Sequence, residues 1–128
     1  MVWLLGFCGC AHLRDAGATE DLDHVVDLYW KAVHWQDAVA GSAFVFPDQR
    51  SEWLRSHDKQ EKNLNVTSWD VQGEKVDPGN LAGTVLVKVT WYQLPSVIEQ
   101  TDLAEQRWVH KDGHWLIISE KGGPLPFP

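Results

Sequence analysis

The spacing of hydrophobic residues changes near residue 63 and divides the chain into a helical part and a strand part. Before this point one apolar stripe recurs at i, i+3, i+4, i+7 and i+11, which is the spacing of one helix face. Its members are Leu22, Val25, Val26, Tyr29 and Val33. The stripe predicts a first helix, with Thr19 as its N-cap and acidic residues in its first turn.

Two further helices are predicted before the spacing changes. The small, mostly apolar run over residues 35–46 favours a short second helix that ends near Gly41. Pro47 is suited to the start of a helix, so a third helix is predicted from about Asp48 to Gln60. Its apolar face carries Trp53, Leu54 and His57.

After Asn63 apolar and polar residues alternate, as they do along a strand with one buried face. A first strand is predicted over residues 64–71, with Asp70 on the same face as Leu64 and Val66. The second strand is the clearest, because valines and polar residues alternate along it. One face carries Val85, Val87, Val89 and Trp91, and the other carries Thr84, Lys88 and Thr90.

The last two strands are joined by a tight turn. A third strand is predicted from about Val97 to His110, and a fourth over residues 115–119. The Asp112-Gly113 pair between them is typical of a two-residue hairpin turn. Helices followed by a meander predict an α+β fold, with N-terminal helices packed on a curved, roughly four-stranded antiparallel sheet.

Three segments are expected along the chain. Residues 1–18 are interpreted as a signal or lipobox remnant with a tether, and residues 19–120 as the α+β domain. Residues 121–128 are rich in glycine and proline and are expected to form an irregular tail. A length of 128 residues fits one folded domain of ordinary size.

Charge and tryptophan content narrow the classes of function. The formal net charge is −7 and no basic run occurs, which argues against a nucleic-acid partner. The chain has no apolar run of the roughly 20 residues that a membrane-spanning helix requires. Eight tryptophans indicate a dense aromatic core for so small a domain.

The first ten residues are apolar and indicate a cellular location. Phe7-Cys8-Gly9-Cys10 resembles a bacterial lipobox, in which a small residue precedes a cysteine that becomes lipidated. Cys10 is therefore the predicted lipidation site, and the expected location is the bacterial cell envelope, with the membrane contacted by the lipid alone. Two alternatives stay open: this segment packs on the domain of a cytoplasmic protein, or Cys8, Cys10 and His12 bind a metal.

The order of elements resembles the nuclear-transport-factor-2-like superfamily, whose members have a cone-shaped, cystatin-like fold. The resemblance also rests on residues 29–32, residues 37–39 and the stretch 107–117, where Trp108 and Trp115 frame Trp-x-x-x-x-Gly-x-Trp. It implies a pocket between sheet and helices. The superfamily includes enzymes, receptors and accessory domains, so the resemblance does not fix a function.

Candidate chemistry is sparse. Tyr29, Trp91, Gln106 and Trp108 are the residues expected to line a pocket for an apolar ligand, or else to fill the core. The weaker candidates are a His34–Asp37 pair, Asp70, and a two-histidine site of His110 and His114 with Asp112. No catalytic residue, metal or cofactor is assigned.

The sequence thus favours a non-enzymatic envelope protein that binds a partner protein or a small apolar ligand. A small-molecule isomerase or dehydratase of the same fold is the alternative, and a soluble accessory domain is a third. A homodimer is a further expectation, because Leu86, Tyr92 and Leu94 lie on the outer face of the predicted sheet.

Overall fold

The computed structural model describes residues 21–60 and 63–127. The predicted lipidation site at Cys10, its neighbour Cys8 and the predicted cap at Thr19 lie outside these residues. Three helices are present: α1 (Leu22–His34), α2 (Ala38–Ser42) and α3 (Arg50–Gln60), which a 3-10 turn at Pro47–Gln49 precedes. Four strands follow: β1 (Leu64–Val76), β2 (Ala82–Gln93), β3 (Gln100–Lys111) and β4 (His114–Lys121).

Helix α1 buries the predicted stripe, together with Trp30, against the sheet. Its N-cap is Asp21, whose carboxylate accepts a 3.3 Å hydrogen bond from the Asp23 amide, so the prediction of Thr19 as the cap was wrong. The helix ends at His34 with Trp35 as its C-cap, and Gln36 then has a φ of 58°. Because that conformation breaks the helix, α2 begins only at Ala38, with Asp37 as its cap.

The four strands form one antiparallel sheet in the order β1-β2-β3-β4. The Asp112-Gly113 turn is confirmed, with φ angles of 53° and 83° that are typical of a tight hairpin. The third strand starts at Gln100 and not near Val97. The α+β fold predicted from the sequence is confirmed, with the helices on one face of a four-stranded sheet.

A bulge in β1 reverses the predicted face of Asp70. The register shifts between Val66 and Ser68, so Trp69 and Val71 turn towards the core while Asp70 lies opposite Lys88 on the exposed face. Strict alternation places Asp70 inward because it does not allow for the extra residue. The expectation that Asp70 shares a face with Leu64 and Val66 was therefore wrong.

The segment after β4 folds back onto the sheet. Leu125 and Phe127 are buried in the core, and the backbones of Phe127 and Glu120 exchange two 3.1 Å hydrogen bonds. Gly122 has a φ of 81°, which allows the chain to reverse directly after the strand. Within the described part of the chain, no helix has the length and apolar character needed to cross a membrane.

Candidate functional site

Three of the four residues predicted to line a pocket meet in the centre of the cone. Tyr29 of α1 packs edge-to-face on Trp108 of β3 with ring centroids 5.9 Å apart, and Gln106 lies two residues before Trp108. All three side chains are fully buried. Trp91 lies elsewhere: it is half-buried, and its indole donates a 2.8 Å hydrogen bond to Asp102.

A chain of hydrogen bonds connects the buried polar groups. The Trp108 indole donates to Oε1 of Gln106 at 2.9 Å, and Nε2 of Gln106 donates to Oε1 of Glu120 at 2.9 Å. Oε2 of Glu120 is buried and has no hydrogen-bond partner within the described residues. Glu120 is therefore the one polar group of this network that is only partly satisfied.

Glu120 is a neutral acid at neutral pH. Burial raises the pKa of Glu120 from its usual 4.5 to about 8, and the hydrogen bond from Gln106 lowers it by less. Burial and then the charge of Glu120 raise the pKa of Tyr29 well above 10. Both groups thus carry their protons inside the cone, where each could act as a hydrogen-bond donor.

Aromatic rings fill the interior around Tyr29. Trp30, Phe44, Trp53 and Trp108 surround the Tyr29 ring at centroid distances of 5.4–6.4 Å. The Trp53 indole donates a 3.1 Å hydrogen bond to the Tyr29 hydroxyl and is 1% exposed. A cleft of about 20 Å³ beside Trp53 and His57 is large enough for only about one water molecule.

His57 is held on the inner face of α3. Its ring stacks on Trp53 at 3.5 Å, and its Nδ1 lies 3.0 Å from the Trp53 carbonyl oxygen, to which it donates. Burial lowers the pKa of His57 from 6.5 to about 4. The side chain is therefore neutral at neutral pH and serves packing in this arrangement.

The weaker candidates are not brought together. His34 bonds through Nδ1 to the Val66 carbonyl at 2.6 Å, while Asp37 caps α2, so the two do not form a pair. His110 packs on the Trp115 ring, and it is Lys111 that lies opposite His114 in the hairpin. Residues 21–60 and 63–127 contain no group of three His, Cys, Asp or Glu side chains placed to hold a metal.

Sequence reasoning did not identify Glu120. Strict alternation from Trp115 and Ile117 turns Ser119 inward and ends the strand there. A register shift opposite Arg107 and Trp108 adds one residue to β4 and turns Glu120 inward instead. The one available signal was the alternation of Leu125 and Phe127 in the tail. It indicates that the tail is buried, and a buried tail needs β4 to extend beyond Ser119 so that the two can pair.

A second concavity lies outside the cone, between residues 43–50 and the β3–β4 hairpin. This hairpin cleft has a volume of about 420 Å³. The residues that define it are Phe44, Arg50, Lys111, His114, Trp115 and Leu116. It combines an apolar wall with three basic side chains, in contrast to the closed interior of the cone.

Comparison with solved structures supports the fold. The chain is similar to a ketosteroid isomerase-like protein from Erwinia carotovora atroseptica, with a TM-score of 0.64, 10% identity, and 77% of this chain and 89% of that chain covered. It is also similar to an NTF-2 like protein of unknown function from Shewanella oneidensis MR-1, with a TM-score of 0.62, 15% identity, and 79% and 94% covered. A SEC-C motif containing protein from Rhodopseudomonas palustris matches with a TM-score of 0.63, 15% identity, and 73% and 72% covered.

Sequence comparison adds no relative. No family model matches the chain, and no curated protein matches it. At identities of 10–15% the structural similarity shows the fold alone, which is that of nuclear-transport-factor-2-like and ketosteroid isomerase-like proteins.

Proposed function

We propose that this chain is a non-enzymatic binding module of the bacterial cell envelope, anchored by a lipid on Cys10. The observation that carries the non-enzymatic part is the filled cone. Tyr29, Trp53 and Trp108 occupy its centre with at most 1% of each side chain exposed, so a substrate has no space beside the buried acid. The module would then bind its partner or ligand from outside the cone.

The anchoring part of the proposal is supported by sequence alone. Gly9-Cys10 follows an apolar run, as a lipidated cysteine does at the end of a signal sequence. A single acyl chain holds a protein only marginally, whereas several chains on one cysteine give stable attachment.

An isomerase-type enzyme is the second candidate, and one observation favours it. Glu120, with its pKa of about 8, and Tyr29 are two protonated groups in one interior, where they could donate hydrogen bonds to a developing oxyanion. Catalysis would require the cone to open, because Glu120 is 1% exposed and covered by the returning tail. The two candidates therefore differ in whether the interior is accessible.

Hydrogen exchange of indole N–H groups tests this difference. In the native protein we expect the Trp53 and Trp108 indoles to exchange slowly, because both donate to buried partners. The Trp35 indole, on a side chain that is 75% exposed, provides the fast reference in the same spectrum. Exchange of Trp53 and Trp108 at the rate of Trp35 would contradict a closed cone and favour the enzyme.

Mass spectrometry tests the anchor. When the full gene is expressed in a bacterial host, we expect a protein that begins at Cys10, carries added acyl mass and sediments with membranes. The Cys10→Ser variant should lose the added mass, whereas Cys8→Ser should keep it. A native protein with an intact, unmodified Met1 from the true start codon would overturn the lipoprotein proposal.

A further inference from the structure

We infer that the hairpin cleft binds a small organic anion with an apolar body, such as an aromatic carboxylate. The inference names a ligand class for the binding module and rests on the non-enzymatic role proposed above. It is drawn from the cleft's rigidity, charge, size and apolar wall.

Backbone hydrogen bonds fix the two walls of the cleft. The Ile117 amide donates to the Phe44 carbonyl at 2.8 Å, and the Phe46 amide donates to the Ile117 carbonyl at 2.9 Å. Arg50 donates from Nε and Nη2 to the Ser42 and Val45 carbonyls, both at 2.9 Å. The cleft is therefore preformed, and a ligand would lose little affinity to ordering it.

The charge of the cleft is opposite to that of the chain. Arg50, Lys111 and His114 line it together with one acidic residue, Asp112, although the whole chain has a net charge of −7. The two Arg50 bonds hold its guanidinium in place at the cleft. The Lys111 ammonium lies 5.3 Å from the centre of the Phe46 ring, which holds it beside the cleft. The Arg50 guanidinium and the Lys111 ammonium complement a carboxylate.

The remaining lining favours an apolar body on the same ligand. Phe44, Trp115 and Leu116 form the apolar wall, and Trp115 is itself buried. A volume of about 420 Å³ lies in the range of small-molecule sites, whereas the cleft beside Trp53 has only about 20 Å³. An amphipathic acid of one or two rings would match both the size and the chemistry.

A titration with 2-naphthylacetate tests the inference, with 2-naphthylacetamide as the neutral control of the same shape. The full chain is followed by calorimetry and by amide chemical shifts. We expect one bound carboxylate per chain, shift changes concentrated in residues 43–50 and 111–116, and at least tenfold weaker binding of the amide. Equal affinity for the two probes, shifts centred on Tyr29 and Gln106, or no binding at about 1 mM would overturn the assignment.

A charge variant on the hairpin makes the test specific. Lys111→Gln should weaken binding of the carboxylate about threefold to tenfold, because the ammonium is exposed and solvent screens it. Lys75→Gln, on an exposed lysine of β1, is the matched control and should leave affinity unchanged. Arg50 is left intact because its bonds support the fold. An equal loss in the Lys75 variant would contradict a localised site.

Three further outcomes separate this inference from the proposed function. Self-association that the Lys111 variant blocks would mean that a second copy occupies the cleft, which overturns the small-ligand assignment. If the carboxylate does not bind while the Trp53 and Trp108 indoles exchange slowly, the ligand class is overturned but the proposal of a closed, non-enzymatic module stands. Rapid indole exchange overturns the non-enzymatic role itself, whatever the cleft binds.

Discussion

Nε2 of Gln106 donates a 2.9 Å hydrogen bond to the Glu120 carboxyl group, and neither side chain is accessible to water. The bond satisfies one carboxyl oxygen and leaves the other without a partner within the described residues. An ionised carboxylate in that position would be strongly destabilising, so the acid stays protonated. The titration of Glu120 should therefore make the stability of the fold depend on the pH.

Glu120→Gln should raise the free energy of unfolding in alkaline buffer. The pKa of Glu120 is about 8 in the folded chain against 4.5 for the free side chain, so the folded state alone holds the proton between these values. The contribution of Glu120 to stability is thus greatest below pH 4.5 and is lost as the pH rises to 8, by about 5 kcal/mol at most. Glutamine cannot ionise, and urea unfolding from pH 6.5 to 9 should show a flatter profile.

Glu74 also titrates in this pH range, so the Glu120 variant has to be compared with a control variant. Burial and the neighbouring Asp23 raise the pKa of Glu74 to about 7, so its titration acts in the same direction. Glu74 is largely exposed, and solvent screening reduces its effect on stability. The control is Glu99→Gln on an exposed loop, which should keep the native slope. A Glu120→Gln variant with that same slope would contradict the neutral acid.

His57→Phe should remove the loss of stability that the protonation of His57 causes below pH 6.5. The pKa of His57 falls from 6.5 to about 4 on folding, so its contribution is complete above pH 6.5 and is lost as the pH falls through 4. Between pH 6.5 and 4.5 this loss opposes the gain from Glu120, and the native profile should be nearly level. In the variant, stability should instead rise towards pH 4.5, as measured by urea unfolding. His24→Gln, on the exposed face of α1, should behave like the native chain.

The element order and most of the buried faces could be predicted from the sequence. The stripe that includes Val26 and Tyr29 and the alternation that includes Val85 and Val87 both point to the core, because spacing reports burial directly. The errors lie where one extra residue enters a strand. The bulge after Val66 turns Asp70 outward. No local residue pattern predicts such an insertion.

The site was predictable only in part. Tyr29, Gln106 and Trp108 were identified because each lies on a predicted inward face, and the structure brings them together. Glu120 could not be found in that way, because its inward position depends on the register of β3 against β4. The hairpin cleft depends on a contact between residues 44–46 and Ile117, which are more than 70 positions apart in sequence. Such contacts follow from topology and not from spacing.

Gly123→Ala should destabilise the fold by about 1–3 kcal/mol, as overpacking of a core does. A Cβ atom at Gly123 would lie 2.7 Å from Oε2 of Glu120 and 2.9 Å from the Cβ of Ala104. Gly73→Ala is the matched control, because a Cβ there meets nothing within 4 Å. Thermal unfolding of the two variants should separate them by several degrees. Equal stability would contradict the close packing of the tail over Glu120.

Trp53→Ala should open the cone and make it bind small apolar molecules. The indole contacts Tyr29 and His57 and donates to the Tyr29 hydroxyl, so its removal should destabilise the chain by about 3–5 kcal/mol. Free indole at millimolar concentration should refill the cavity and restore part of the lost thermal stability, because it binds only the folded state. The milder Trp53→Phe variant covers the case in which alanine prevents folding, and it should lose less stability.

Trp35→Ala, at a side chain that is 75% exposed, should be nearly neutral and should not respond to indole. If the Trp53 variants lost no more stability than Trp35→Ala, Trp53 would not be what closes the interior, and the argument for a non-enzymatic module would fail with it.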